Sequence, residues 1–299
     1  MLALAVSLRA QGMFSIEPGR VSVTINGKPY TSLFLAPDGN KPYLYPLSTA
    51  SGIVVTRHFP METVAGETND HPHHRGLFFA HGDVNGVNFW ATEPGSNTPN
   101  MGRMVLKSAS AKGAVIRAAF EGRDPQGKPM MTETRTITFH ADDPLRVIDY
   151  EVQIEAIQPL KFVDTKEGTF GIRLATSMTE DKGGHMVDAE GRAGEKNVWG
   201  KRAPWVDYYG PVDGKTVGVA IFDNPANPRH PTYWHARAYG LFAANPFGVH
   251  DFTADASKDG SMMVNPGQPV TFRYRVVIHE GDAKAARVAE LWQTYAGKR

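Results

Sequence analysis

The sequence predicts an all-β fold: a large antiparallel β-sandwich with one helix at its C-terminal end. Three observations lead there. Thirty glycines and 21 prolines divide the 299 residues into segments of about ten, the rhythm of short strands joined by turns. Between these breaks, apolar and polar residues alternate with a period of two. An apolar repeat at helical spacing is clear only near the end of the chain.

Taken in order, residues 21–25 (VSVTI) alternate and run into Asn26-Gly27, a two-residue hairpin turn in which both positions need positive φ. Residues 30–35 are the return strand, 37–40 (PDGN) a turn and 52–59 a further strand. Residues 77–80 (LFFA) are short and apolar, as a buried strand is. Residues 93–102 (EPGSNTPNMG) have loop composition. Strands follow at 104–110, 114–121, 131–140 and 145–156. The third of these alternates Thr132, Thr134, Thr136 and Thr138 with Glu133, Arg135, Ile137 and Phe139. A short strand is predicted at 170–176. Residues 181–214 are Gly-rich and charged but carry Trp199, Trp205, Tyr208 and Tyr209, which predicts a long loop packed over another surface. Strands at 217–222, 239–244 and 270–279 complete the sheets, with an irregular loop at 224–231. Asp282 is placed to cap a helix whose apolar face is Ala285, Val288, Leu291, Trp292 and Tyr295. No linker-like segment or internal repeat interrupts residues 13–299, so they are read as one domain of two packed sheets.

Composition narrows the function. A net charge of +1, with no basic run, offers nothing to a nucleic acid. The absence of cysteine excludes disulfides, iron–sulfur clusters and thiolate zinc sites. No stretch of eighteen apolar residues predicts a membrane span. Residues 1–12 read either as the later part of a truncated signal peptide or as an ordinary tail. The first makes the protein periplasmic or secreted, and the second leaves it cytoplasmic.

Residues 70–90 (DHPHHRGLFFAHGDVNGVNFW) stand apart. Four of the eleven histidines lie between His71 and His81, with Arg75 among them and Trp90 at the end. So many titratable groups are costly to bury unpaired, yet the centre of the stretch is apolar. The reading is a buried strand with the histidines at its mouth. In extended chain His71, His73 and Arg75 project to one side and His74 to the other.

The stretches HPHHRG (71–76), FFAHGDVNGVNFW (78–90), NPRHPTYWHARAYG (227–240) and LFAANPFG (241–248) together resemble a bacterial family labelled PmoA-like, over most of the chain from Phe14 onward. That resemblance implies exported or periplasmic proteins of polysaccharide-degrading bacteria. Their β-sandwich is similar to the galactose-mutarotase type. It implies no settled reaction, so the chemistry rests on the residues.

A sugar presents hydroxyls at its rim and an apolar face, and needs forked donors around an aromatic plate. Histidine titrates near neutral pH, and a buried carboxylate can be raised to that range. The sequence therefore predicts a polar cleft in which His73 or His74 shares acid and base roles with Glu167. Arg173 is a partner for Glu167, and Asp207 is the alternative carboxylate. His71, Arg75, His81 and His235 hold hydroxyls or a developing oxyanion, and Arg237 shares the His235 face. Trp90, Trp205 and Tyr208 are aromatic plates, with Trp199, Tyr233 and Trp234 as further candidates, while Asn245 sits in a turn closing the pocket. The partner is a carbohydrate, acted on by a hydrolase, lyase or epimerase. Two other classes fit the same residues: a carbohydrate-binding module without catalysis, and a cupin-like oxygenase with a metal on His71, His73 and His81. No cofactor is implied strongly, and the metal is unspecified.

Overall fold

The computed structural model describes residues 13–36, 41–93, 97–140 and 144–297. The expected turn at 37–40 and the leader or tail at 1–12 lie outside them. Among the described residues the strands are, in chain order, β1 (Met13–Glu17), β2 (Arg20–Ile25), β3 (Lys28–Phe34), β4 (Tyr43–Tyr45), β5 (Leu77–His81), β6 (Arg103–Lys112), β7 (Val115–Arg123), β8 (Pro129–His140), β9 (Arg146–Ala156), β10 (Leu160–Phe162), β11 (Gly168–Arg173), β12 (His185–Asp188), β13 (Trp205–Val212), β14 (Lys215–Asp223), β15 (Tyr233–Ala236), β16 (Leu241–Asn245), β17 (Met262–Val264) and β18 (Val270–Glu280). Helices are few and short: α1 (Glu195–Val198), α2 (Val249–Thr253) and α3 (Val288–Ala296).

The strands form two eight-stranded sheets, with β10 and β17 pairing separately. The first sheet runs β1-β2-β3-β4-β5-β11-β16-β15 and the second β12-β13-β14-β18-β9-β8-β7-β6. Every pair of neighbouring strands in them is antiparallel. The all-β antiparallel sandwich with a C-terminal helix is the architecture the alternation predicts. The Asn26-Gly27 turn has positive φ at both residues, 52° and 75°, and returns β2 onto β3.

Period-two alternation sorts each strand into an inner and an outer face. Leu77 and Phe79 of β5, Phe170 and Ile172 of β11, and Phe242 and Ala244 of β16 enter the main core between the sheets. They meet Ile148, Tyr150, Val152, Val219, Ile221, Phe272 and Tyr274 from the second sheet. Each fully buried aliphatic or aromatic side chain contributes about 1.5–3 kcal/mol relative to exposure. The outer face of the second sheet is covered in part by α3, where Val288 and Tyr295 pack on Trp205, Ala220, Phe222 and Val277.

Three local expectations are corrected. Residues 52–59 make only isolated bridges, Ser48 to Val54 and Thr56 to Leu174, because Thr56 Oγ1 takes the Leu47 N–H that a ladder would use. Residues 181–214 are not one loop: β12, α1 and the eight-residue β13 lie within them. The glycines and charges masked an alternation in which Val206 and Tyr208 face the core while Trp205 and Asp207 face outward. Asp282 caps only a turn, through Ala285 N–H at 2.7 Å, and α3 begins later, after Arg287 at φ 56°.

One side chain ties the sheets together. Arg135 of β8 is fully buried and reaches across to donate to the carbonyls of Pro42, at 3.0 Å, and Phe79, at 3.1 Å. It also donates to Tyr150 Oη at 3.0 Å and pairs with the buried Glu133. The β4–β5 ladder consists of two residue pairs, Tyr43 with Phe78 and Leu44 with Leu77, so the guanidinium supplies donors where the ladder stops. Arg135→Met should destabilise the fold by about 3–5 kcal/mol, since it leaves Glu133 buried without its counter-ion. Urea unfolding followed by tryptophan fluorescence measures this.

Asp149 on the outer face of the second sheet accepts from His140 at 2.8 Å and from Arg275 at 2.6 and 2.7 Å. Burial would raise this carboxyl, but the His140 and Arg275 hydrogen bonds outweigh burial and bring it down to about 2. A depressed folded-state pKa stabilises above the unfolded value of about 4 and is lost as pH falls through the folded one. Asp149→Asn should therefore flatten the loss of stability between about pH 4 and 2, read from melting temperature against pH.

Candidate functional site

Polar groups gather on the outer face of the first sheet, opposite the core. Tyr43, Tyr45, Phe78, Ala80, Trp90, Leu241 and Ala243 form a separate apolar cluster there. The register lays Tyr43, Phe78, Gly171, Ala243 and His235 in one row across β4, β5, β11, β16 and β15. Two residues along, Arg173 stands opposite Leu241, and Arg237 N–H donates to the Leu241 carbonyl at 2.7 Å. The floor is low at Gly171. A Cβ there would lie 3.2 Å from Ala243 Cβ, 3.4 Å from Phe78 Cζ and 3.6 Å from Trp90 Cη2, so a glycine lets these side chains meet.

The histidines do not run as an extended strand. Residues 71–74 form a turn in which His74 N–H donates to the His71 carbonyl at 3.0 Å and His71 adopts φ 44°. That turn replaces the predicted one-side, other-side alternation. His71 and His74 stack with ring centres 5.0 Å apart and planes within 2°. His71 also stacks on Tyr239 at 5.2 Å, and His74 on Phe78 at 6.2 Å. His73 lies edge-on to His74 at 4.3 Å.

Asp70 holds the turn in place. Its Oδ1 accepts from Arg173 Nη2 at 2.7 Å and from Arg57 Nη1, and its Oδ2 accepts from His71 Nδ1 at 2.9 Å. Both guanidiniums are buried, at 0% and 1% exposure. Arg57 also donates to the His71 and Phe59 carbonyls. Burial would raise the Asp70 carboxyl, but Arg173, His71 and Arg57 outweigh burial and hold it below the usual carboxylate range. Arg173 Nη1 donates to His74 Nδ1 at 3.3 Å, and its guanidinium lies 4.8 Å from the centre of the Tyr239 ring.

Three other histidines of this face, His73, His74 and His235, are held neutral. Burial, reinforced by Lys41, His71, Arg173 and Arg57, pushes His73 down to about 3. His74 is driven well below its ordinary value by burial and then by His73, Arg173 and Lys41. On the far side Trp199 Nε1 donates to His235 Nδ1 at 3.1 Å, and burial with Arg237 and Lys166 pushes His235 down to about 3. Trp199 follows α1, whose Glu195 pairs with Arg237 at 3.0 Å. Tyr239 is held protonated: burial raises its phenol to about 12 despite Arg173 and Arg237. Among the described residues no hydrogen bond engages the His73 ring nitrogens or His71 Nε2.

The predicted residues separate into groups. His71, His73, His74, Arg173, His235, Arg237 and Trp90 share this face. Glu167 lies at its edge, near enough to Tyr239 to act on its phenol, and is ion-paired with Lys166 at 3.4 Å. Arg75 is held in a two-point bond by Glu93 at 3.1 and 2.7 Å, so its donors are engaged within the protein. Asn245 gives its side-chain amide to the Thr165 and Lys166 carbonyls and accepts from Phe247 N–H, and so pins the loop before β11.

Four of the residues predicted to contact a ligand lie elsewhere. His81 packs against Phe162 and Phe247 and donates from Nε2 to the Val163 carbonyl at 2.8 Å. It follows Leu77 and Phe79 on the inner face, because odd positions of β5 point inward. The proposed metal set His71, His73 and His81 therefore does not converge. Among the described residues no group of three or more His, Cys, Asp or Glu is placed to hold a metal ion. Tyr208 lies in the main core and donates to the Ala238 carbonyl at 2.9 Å. Trp205 lies under α3. Asp207, on the same side of β13, forms a buried pair with His279 at 2.9 Å. Burial would lower His279, but Asp207 outweighs it and raises the imidazole.

Sequence reading missed Asp70, Arg57, Tyr239 and Lys41. Asp70 adjoins the histidines in DHPHHRG, but extended geometry would point neighbours apart, and only the turn at His71 brings its carboxylate round. Lys41 is fully buried, donates to the Trp90 carbonyl and lies 4.8 Å from the Phe78 ring centre. Burial pushes it down to about 7.

Fold and site together define an antiparallel β-sandwich carrying a histidine- and arginine-rich face on one sheet. The chain matches DUF6807, a family of unknown function, over residues 20–293, and belongs to that family. No curated protein matches it. Among solved structures it is similar to a galactose mutarotase-like protein from Clostridium acetobutylicum, with 10% identity, 91% of this chain and 99% of that chain covered, and a TM-score of 0.47. A galactose mutarotase-like protein from Lactobacillus casei gives 9% identity, coverages of 90% and 100%, and a TM-score of 0.39. The GH36 alpha-galactosidase AgaA from Geobacillus stearothermophilus gives 12% identity over 91% of this chain and a TM-score of 0.38, and the chain spans 40% of that enzyme's length. The PmoA-like label comes with none of these matches. No helix among the described residues is long and apolar enough to cross a membrane.

Asp70→Ala should cost about 3 kcal/mol or more, because two buried guanidiniums lose their shared carboxylate. Thermal unfolding measures the loss. Histidine proton–nitrogen spectra should show His71 losing its fixed tautomer.

Proposed function

We propose that the outer face of the first sheet is a carbohydrate site at which His71 transfers protons, and that the protein is an enzyme of the lyase or epimerase kind. The observation that carries this reading is the Asp70–His71 pair. With Nδ1–H held by Asp70 at 2.9 Å, the neutral ring keeps its lone pair on Nε2. A carboxylate that orients one nitrogen so that the other can accept a proton is the logic of hydrolase triads, applied here to a His–Asp pair. His71 is the more exposed member of the stack, with 43% of its side chain open, whereas His74 is buried and held by Arg173. The base role thus passes from His73 or His74 to His71, and His73 remains beside it as a neutral hydrogen-bonding group.

Tyr239 is the matching acid. Its phenol is protonated across the neutral range, it stacks on His71, and Arg173 and Arg237 lie 4.8 and 5.7 Å from its ring centre to stabilise a phenolate that forms transiently. An acid and a base on neighbouring rings suit proton removal and return on a sugar. Hydrolysis fits less well, since glycosidases of the usual kind need two working carboxylates. Here Asp70 is taken up by two arginines and a histidine, and Glu167 is ion-paired to Lys166. Phe78, Trp90 and Tyr43 are fully buried and support the histidine turn from below, and the part-exposed ring of Tyr239 is the apolar surface left for a sugar ring.

Incubation with mono- and oligosaccharides, oxidised keto-sugars included, with mass-spectrometric and NMR detection, should reveal a product isomeric with the substrate or an unsaturated fragment. His71→Asn should lower kcat by about 10²–10⁴-fold and Tyr239→Phe by a similar factor, with circular dichroism unchanged. Sugar binding without any turnover would establish a binding module instead, and full activity in His71→Asn would remove that residue from the chemistry.

A further inference from the structure

Resting on the carbohydrate reading, we infer that the sugar taken by this face carries an oxyanion, and that a hexuronic acid carboxylate is the group that also suits the chemistry. Three observations converge. First, two buried guanidiniums, Arg57 and Arg173, share the single carboxylate of Asp70, and the buried Lys41, which shares the attraction of Glu93 with Arg75, has only the Trp90 carbonyl as a hydrogen-bond acceptor among the described residues. The remaining acids nearby are engaged: Glu93 by Arg75, Glu195 by Arg237, Glu167 by Lys166, and Glu67, which also attracts Arg57, by His58.

Second, the buried side-chain atoms of this face that lack a hydrogen bond are donors. They are Arg173 Nε, Trp90 Nε1, His74 Nε2, which bears its proton because Nδ1 accepts from Arg173, and Arg237 Nε, which is ion-paired with Glu195 without a hydrogen bond. Thr169 Oγ1, opposite Ala80 on the same strand face, is a hydroxyl and can also donate. The acceptors without a hydrogen bond, Asp207 Oδ2, His81 Nδ1 and Asp164 Oδ1, the last ion-paired with His250, lie away from this face. Third, the charged side chains that act most strongly on His73, His74 and His235, apart from the histidines themselves, are all cationic: Lys41, Arg57, Arg173, Lys166 and Arg237. A region rich in donors and positive potential selects an acceptor-only, negatively charged group.

A uronate carboxylate does more than bind. It makes the adjacent C5–H acidic, since the electron pair left by the proton spreads into the carboxylate as an enolate, which cations stabilise. His71 Nε2 takes the C5 proton. In elimination the C5 pair then forms the C4=C5 double bond while the C4–O bond breaks, its electrons leave with the oxygen, and Tyr239 protonates that oxygen. In epimerisation Tyr239 gives its proton to C5 from the opposite side, and the proton held by His71 returns to the tyrosinate through water. No oxidant, reductant or further reactant is needed in either course.

Titration calorimetry on the full chain, with a neutral trisaccharide, trigalacturonate and a sulfated disaccharide at low and high salt, tests the inference. Trigalacturonate should bind about tenfold or more tighter than the neutral sugar and weaken as salt rises. Arg237→Gln, at a part-exposed position, should reduce that preference several-fold, and Arg237→Lys should keep most of it. Tighter binding of the sulfated sugar than of trigalacturonate would support the oxyanion and overturn the choice of a carboxylate. Equal, salt-insensitive binding of neutral and charged sugars would overturn the inference and leave the carbohydrate reading standing. Absence of binding by all three would overturn both.

Discussion

The site depends on one carboxylate. Asp70 is the counter-ion of two guanidiniums that the fold removes from water, and the hydrogen-bond acceptor that fixes His71. Buried guanidinium is tolerated only where its donors and charge are met. Arg173 belongs to β11 and Arg57 to the irregular segment preceding the histidine turn, so Asp70 fastens that turn to the middle of the first sheet. His71 then reaches Tyr239, and His74 reaches Phe78 and Trp90, because the turn has nowhere else to go.

Electrostatics follow from the same arrangement. A turn anchored by two cations and lying near a third places its imidazoles where a further positive charge is unfavourable, and burial acts in the same direction. The rings beside His71 are therefore neutral, able to accept or donate hydrogen bonds without competing for protons. The only ring with a carboxylate partner in the cluster is His71, which separates its role from the others by chemistry rather than by position.

The two sheets use their outer faces differently. That of the second sheet is partly covered by α3, and its buried polar pair, Asp207 with His279, is turned away from the core. The outer face of the first sheet combines small residues at Gly171 and Ala243 with aromatic walls and charged rims. Arg135 joins the layers by satisfying carbonyls where the short β4–β5 ladder stops. The backbone of β5 beneath the histidine turn is thus supported from the opposite sheet.

The sequence by itself determined that the chain is mostly strand, the Asn26-Gly27 hairpin, the sandwich class and the placing of His235 with Arg237 on one side of a strand. All of these follow from local spacing, since a period of two fixes which side of its own strand a residue occupies. The inward facing of His81 followed from the same rule, through Leu77 and Phe79, yet its place among the neighbouring histidines suggested otherwise. Tertiary structure alone decided which sheet each strand joined. Trp205, Asp207 and Tyr208 look like site residues until β13 is seen to pair with β14 in the second sheet. Tertiary structure also brought Asp70 to Arg57 and Arg173, and Tyr239 to His71. Those contacts span up to 168 positions of chain, and they arise from burial of charge and from ring stacking, neither of which has a period that a linear pattern can carry.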